Sequence, residues 1–129
     1  MTLNRVFFLS LVLVLMACKE RDQHDKFDLN VIDFERHINR EDVYLLDVRT
    51  PKEVSGGRIE GAVFLNILEP EFMESYDSLP KKKTIYIYCE SGVRSRKAVA
   101  FLIEQGFDSV YHLNAGIKAW KKANKKIKF

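Results

Sequence analysis

Apolar and polar positions along this chain fall into short blocks, and the blocks change period along its length. Val6 to Met16 is apolar except for Ser10, with Arg5 ahead of it. That run is short for a bilayer-crossing helix and suits the central part of an export signal. Lys19 to Lys26 is charged, lacks apolar periodicity and reads as a flexible tether. From Phe27 the pattern is that of a folded domain. Val31, Phe34 and Ile38 recur at helical spacing, which predicts a helix over 30–39 with Asn30 as its cap. Val43 to Val48 shows little alternation, as a strand covered on both faces would. Pro51 to Val54 predicts a short helical turn, broken by Gly56 and Gly57. Ala62 to Ile67 predicts another strand. Glu69 to Leu79 predicts a helix or irregular segment packed through Phe72, Met73 and Tyr76, ended by Pro80 and the solvated Lys81, Lys82 and Lys83. Thr84 to Tyr88 is β-branched and aromatic, a buried strand.

Arg96 to Gln105 predicts a helix with Ala98, Leu102 and Ile103 on one face, Val99 beside them and Gly106 closing it. Asp108 to Leu113 gives a last strand, and Gly116 to Lys122 a last helix with Trp120 turned inward. Strands alternating with helices argue an α/β fold: a central, mostly parallel sheet with helices on both faces. At 129 residues the chain is one domain by length. Its net charge is only +3, so the basic run from Lys121 to Lys128 is a local feature. A solvated tail is its simplest reading. Contact with an anionic membrane surface, at about 1 kcal/mol per well-placed Lys, is the alternative. No aromatic interleaving or known motif suggests nucleic acid as a partner.

The chemistry concentrates in Cys89-Glu90-Ser91-Gly92-Val93-Arg94-Ser95, between a predicted strand and a predicted helix. Backbone N–H groups of such a turn can point at an anion, and the helix start adds its positive end. A thiolate placed there is stabilised. Gly92 permits a backbone angle that a Cβ would resist, and Arg94 adds a fixed positive charge. Ser95 is expected to cap the helix or bond the loop, with its hydroxyl in reach of the sulfur. Burial alone would also suit a cysteine at a strand end, but it does not call for the Gly, Arg and Ser that follow. Glu90 places a negative charge at the mouth of a site for anions. Asp47 and Arg49 end the Val43–Val48 strand, where open α/β sheets gather their ligand sites. They either help shape the site or form a buried structural pair, and the second carries more weight because buried charges persist as paired scaffolding. His24, His37 and His112 are scattered and read as ordinary surface or half-buried residues; no Cys/His spacing suggests a metal site, and no cofactor is expected.

Tyr88 to Ser95, with the helix after it and the Gly106 to Trp120 segment, resembles the C-terminal half of a single-domain rhodanese, a sulfurtransferase. Leu46-Asp47-Val48-Arg49, then Glu53, then Gly57-Arg58-Ile59-Glu60-Gly61-Ala62, resembles the same family's N-terminal signature, with Arg58 where the family commonly has His. Two separated motifs in order are more specific than either alone. The resemblance implies a rhodanese domain over 27–122, followed by a basic tail over 123–129. It further implies a Cys89 persulfide, with Glu90, Ser91, Gly92, Val93, Arg94 and Ser95 around the substrate. The partners would be a small sulfur donor such as thiosulfate or a polysulfide, and a thiol, protein thiol or cyanide acceptor. Phosphatases and arsenate reductases on related folds use a longer loop than the four residues between Cys89 and Arg94. A non-catalytic rhodanese-like binding module is the other alternative, against which the intact Cys89, Gly92 and Arg94 argue.

Leu15-Met16-Ala17-Cys18 resembles a bacterial lipoprotein signal. It implies a signal peptide over 1–17, a lipid on Cys18, a tether over 18–26 and an exported protein held to a membrane without spanning it, facing the periplasm or cell exterior. Cys89 would then have no partner within the chain.

Overall fold

The computed structural model describes residues 26–129. The signal-like run 1–17, Cys18 and nearly all of the tether lie outside the described residues.

Five strands form one sheet: β1 (Asp28–Leu29), β2 (Val43–Asp47), β3 (Val63–Phe64), β4 (Thr84–Tyr88) and β5 (Val110–Leu113). Their order is β1-β5-β4-β2-β3, and every pairing is parallel. Among the described residues five helices connect or follow them: α1 (Val31–Ile38), α2 (Pro51–Ser55), α3 (Pro70–Ser75), α4 (Val93–Glu104) and α5 (Gly116–Lys122). A 3-10 turn, Tyr76–Ser78, follows α3. Among the described residues no helix is long and apolar enough to cross a membrane.

The side-chain period of two splits each inner strand between two cores. Leu46, Ile85, Ile87 and Val110 face the layer holding Phe72 of α3 and Ala98, Val99 and Leu102 of α4. Leu45, Tyr86, Tyr88 and Leu113 face the layer holding Phe34 of α1 and Ile117 and Trp120 of α5. Helices therefore cover both faces. This explains why β2 and β4 read as unbroken apolar runs. Asn30 caps α1 by accepting from the Asp33 N–H at 2.9 Å.

Several expectations change. The strand predicted over Ala62–Ile67 shrinks to Val63–Phe64, an exposed edge. Met73 is 55% exposed and packs into neither core. Helix α4 starts at Val93, three residues earlier than the apolar spacing suggested. The basic C-terminal segment is not a free tail. Lys128 and Arg58 exchange backbone hydrogen bonds at 2.9 Å each, and Trp120 Nε1 donates to the Lys126 carbonyl at 3.0 Å. Ile127 also packs against the second core, and Lys125 Nζ lies 2.6 Å from Glu35 Oε2.

Candidate active site

The register pairs Asp47 with Tyr88, so β2 and β4 end level with one another. Cys89 follows β4 directly, and Arg49 stands beside it at the end of β2. Parallel pairing thus gathers both signature segments at the carboxyl edge of the sheet, where such folds place their ligands.

The loop from Cys89 to Gly92 is clamped by the chain entering α5. Ile117 N–H donates to the Cys89 carbonyl at 2.9 Å and Lys118 N–H to the Glu90 carbonyl at 3.2 Å. The approach is too close for side chains at two points. A Cβ on Gly92, where φ is +95°, would lie 1.8 Å from the Asn114 carbonyl oxygen. One on Gly116, where φ is +67°, would lie 2.2 Å from the Glu90 carbonyl oxygen. Both glycines are thus required by space as well as by backbone angle. The start of α5 is spent on these loop carbonyls, while the loop's own Gly92 N–H donates to Cys89 Sγ at 3.1 Å. Cys89 Sγ lies 3.4 Å from the Ser95 hydroxyl oxygen. The sulfur has no exposed surface. It is therefore covered, as a structural cysteine would be, yet addressed by an inward-pointing amide, as a structural cysteine need not be.

Two arginines serve the loop. Arg94, at the first turn of α4, is held by Glu53 of α2 through two bonds, Nη1 to Oε2 at 2.8 Å and Nη2 to Oε1 at 2.5 Å. Both side chains keep partial contact with solvent. The Arg94 guanidinium, with help from Thr50, holds the Glu53 carboxyl down at about 2. Arg94 in turn is raised by Glu53 first, and further by Glu90. Thr50 and Glu53 also form a capping box that starts α2, with the Thr50 N–H donating to Glu53 Oε2 at 2.9 Å.

Arg49 is 1% exposed and fully occupied. It donates to Asp47 through Nε at 3.0 Å and Nη2 at 2.8 Å, and to the carbonyls of Gly57 at 2.8 Å and Glu53 at 3.3 Å. Its guanidinium lies 5.5 Å from the centre of the Tyr88 ring. Tyr88 Oη in turn accepts the Ile59 N–H at 3.1 Å, and burial drives the phenol strongly upward. Asp47 and Arg49 thus form a buried ion pair. They still reach the loop, because Arg49 Nη1 lies 3.4 Å from Glu90 Oε2. Ser91 and Val93 point to solvent at the loop's rim.

His112 corrects its expectation. It is fully buried. Its Nδ1 lies 2.9 Å from Ser95 Oγ, and its Nε2 lies 2.7 Å from Asp28 Oδ1. The signal for this was periodicity. Val110 and His112 share one face of β5, and Ser95 shares a face of α4 with Ala98, Val99 and Leu102. Those two faces meet. Among the described residues no cluster of His, Cys, Asp and Glu could hold a metal ion.

An all-parallel α/β sheet that presents a cysteine loop and two arginines at its carboxyl edge defines a class of thiol-bearing domains. The comparisons make the class specific. Residues 30–123 match the rhodanese-like domain family, and the chain belongs to that family. It is 42% identical over 97 residues to a sulfurtransferase of Allochromatium vinosum, covering 71% of this chain and 88% of that protein. It is 40% identical over 93 residues to a tRNA uridine(34) hydroxylase of Cytophaga hutchinsonii, covering 69% of this chain but only 30% of that larger protein. The fold matches the crystal structure of a rhodanese-related protein from Thermoplasma volcanium with a TM-score of 0.71 at 28% identity, over 78% of this chain and 96% of the other.

Proposed function

We propose that this protein is a sulfurtransferase working through a Cys89 persulfide. The observation that carries the reading is the Gly92 N–H aimed at Cys89 Sγ at 3.1 Å inside a loop with no room for any residue but glycine at position 92. The naming of a relative covered over most of its length as a sulfurtransferase supports it. In this reading the Cys89 thiolate attacks the outer sulfur of thiosulfate or a polysulfide. The new S–S bond forms as the donor's own breaks, and sulfite or a shortened polysulfide leaves with the electron pair. Cyanide in an assay, or a small or protein thiol in the cell, then takes the sulfur and regenerates Cys89. This is double displacement through a covalent intermediate, held by preorganised donors.

Arg94 is the site's adjustable cation. An anionic donor would compete with the Glu53 carboxylate for it. Glu90 opposes anions at the mouth, though Arg49 balances part of its charge. Thiosulfate:cyanide turnover should accordingly be slow.

Cys18 would carry the lipid, and the charged tether would hold the domain outside a membrane, facing the periplasm or cell exterior. The sequence at Leu15 to Cys18 supports this part of the proposal.

The test is intact mass after incubation with polysulfide. The gain of one sulfur, absent in Cys89→Ser, supports the enzyme. A specific observation favours a second reading, a non-catalytic binding module: Cys89 is fully covered and Arg94 already has a partner. No sulfur gained from any donor would decide for the module.

A further inference from the structure

A line of side chains leads from the sulfur to the surface, and the transfer chemistry above makes no use of it. Cys89 Sγ lies 3.4 Å from Ser95 Oγ, Ser95 Oγ lies 2.9 Å from His112 Nδ1, and His112 Nε2 lies 2.7 Å from Asp28 Oδ1. Arg96 Nη2 closes the line on Asp28 Oδ2 at 2.5 Å. Ser95 and His112 have no exposed surface, whereas Arg96 is open to water. The four inner members come from separate places in the fold: the loop after β4, α4, β5 and β1.

The donor and acceptor roles follow from chemistry. A carboxylate only accepts, so the proton on a neutral His112 sits on Nε2 and leaves Nδ1 as an acceptor. The Ser95 hydroxyl then donates to Nδ1, which leaves an oxygen lone pair to face the thiol. Its competing acceptor, the Gly92 carbonyl, is farther away at 3.2 Å. The charged groups facing the ring are Asp28 from β1 and Arg96 from α4; Cys89 reaches it only through Ser95, and its register partner on β4 is the apolar Ile87.

We propose that His112, oriented by Asp28, takes up the Cys89 thiol proton through Ser95 and so prepares the sulfur for attack. The proposal rests on the sulfur-transfer reading for its purpose, although the proton step is testable without it. The S–H bond breaks as Ser95 Oγ receives that proton, while the serine's own proton passes to Nδ1. The products are a thiolate, an intact hydroxyl now donating to it, and an imidazolium paired with Asp28. No electrons change hands. Once an acceptor has removed the transferred sulfur, the proton returns to Cys89. Burial holds His112 below its ordinary 6.5, against the opposing pull of Asp28, so at neutral pH the ring is uncharged and Nδ1 carries no proton of its own. His112 and Asp28 are positioning residues, since they act through Ser95.

The test is the rate at which iodoacetamide labels Cys89 in the full chain, followed by peptide mass, against pH. Each profile is normalised to its own alkaline plateau, which cancels differences in access to the covered sulfur. Ser95→Ala, His112→Asn and Asp28→Asn are compared with wild type. In the neutral range Ser95→Ala and His112→Asn should fall about tenfold below wild type, the effect of a displacement of about one pH unit, and Asp28→Asn should fall by less. Normalised profiles that superimpose in Ser95→Ala would overturn the relay, and that variant loses a single hydroxyl if His112→Asn fails to fold. Altered profiles without any sulfur transfer would leave the relay standing and remove the enzyme. Sulfur transfer with unaltered profiles would do the reverse.

Discussion

Arg49 and Arg94 meet the same loop and are held in opposite ways. Arg49 is buried, bonded to a buried aspartate and to two backbone carbonyls, with no donor left to offer. Arg94 is partly exposed and has one partner, the carboxylate of Glu53. The difference teaches where in this site a charge can change partners. A buried guanidinium cannot give up a carboxylate without leaving it unpaired in a dry place, whereas a rim pair exchanges partners at little cost. In the proposed reaction Arg49 would therefore fix the floor of the site, and Arg94 would be the cation offered to substrate.

Breaking each pair should separate the two roles. Arg49→Met leaves Asp47 buried and unpaired and should cost roughly 3–5 kcal/mol of stability, read from urea unfolding. Arg94→Ala should cost less than Arg49→Met by the same measurement, because Glu53 keeps contact with water and with Thr50. Its effect should appear in sulfur transfer instead, as a loss of about tenfold or more in kcat/KM, equal to about 1.4 kcal/mol or more of transition-state stabilisation. Equal stability losses in the two variants would erase the distinction.

Acid should release the groups in sequence. His112 has a lowered folded value, so its contribution is complete above the ordinary 6.5 and declines as pH falls below it. Glu53 is also lowered, so its contribution is complete above the ordinary 4.5 and is lost as pH falls toward about 2. Unfolding free energy measured against pH in Glu53→Gln should lack the second decline and keep the first. The smallest effect belongs to Glu90→Ala. It should raise kcat/KM for thiosulfate a few-fold at most, because Arg49 already balances part of that charge. An unchanged or lower value would count against an inward role for Glu90.

Much of this arrangement is legible in the chain. The unbroken apolar runs of β2 and β4 declare a doubly covered sheet, and the residues of the cysteine loop declare its turn. The parts that stay hidden depend on distant segments meeting. Strand β1 is two residues long and exists only by pairing with β5. The His112–Asp28 contact spans 84 positions, and no local pattern could join them. The pairing of Arg94 with Glu53 spans 41, so the sequence offered a free cation where the fold supplies a neutralised one. The C-terminal segment looked solvated because its partners, Glu35, Arg58 and Glu60, lie far back in the chain.

The most direct test of the account is a single-turnover measurement with thiosulfate and no acceptor. The account predicts release of one sulfite per chain, with nothing beyond background from Cys89→Ser. No release, or equal release from both proteins, would contradict it.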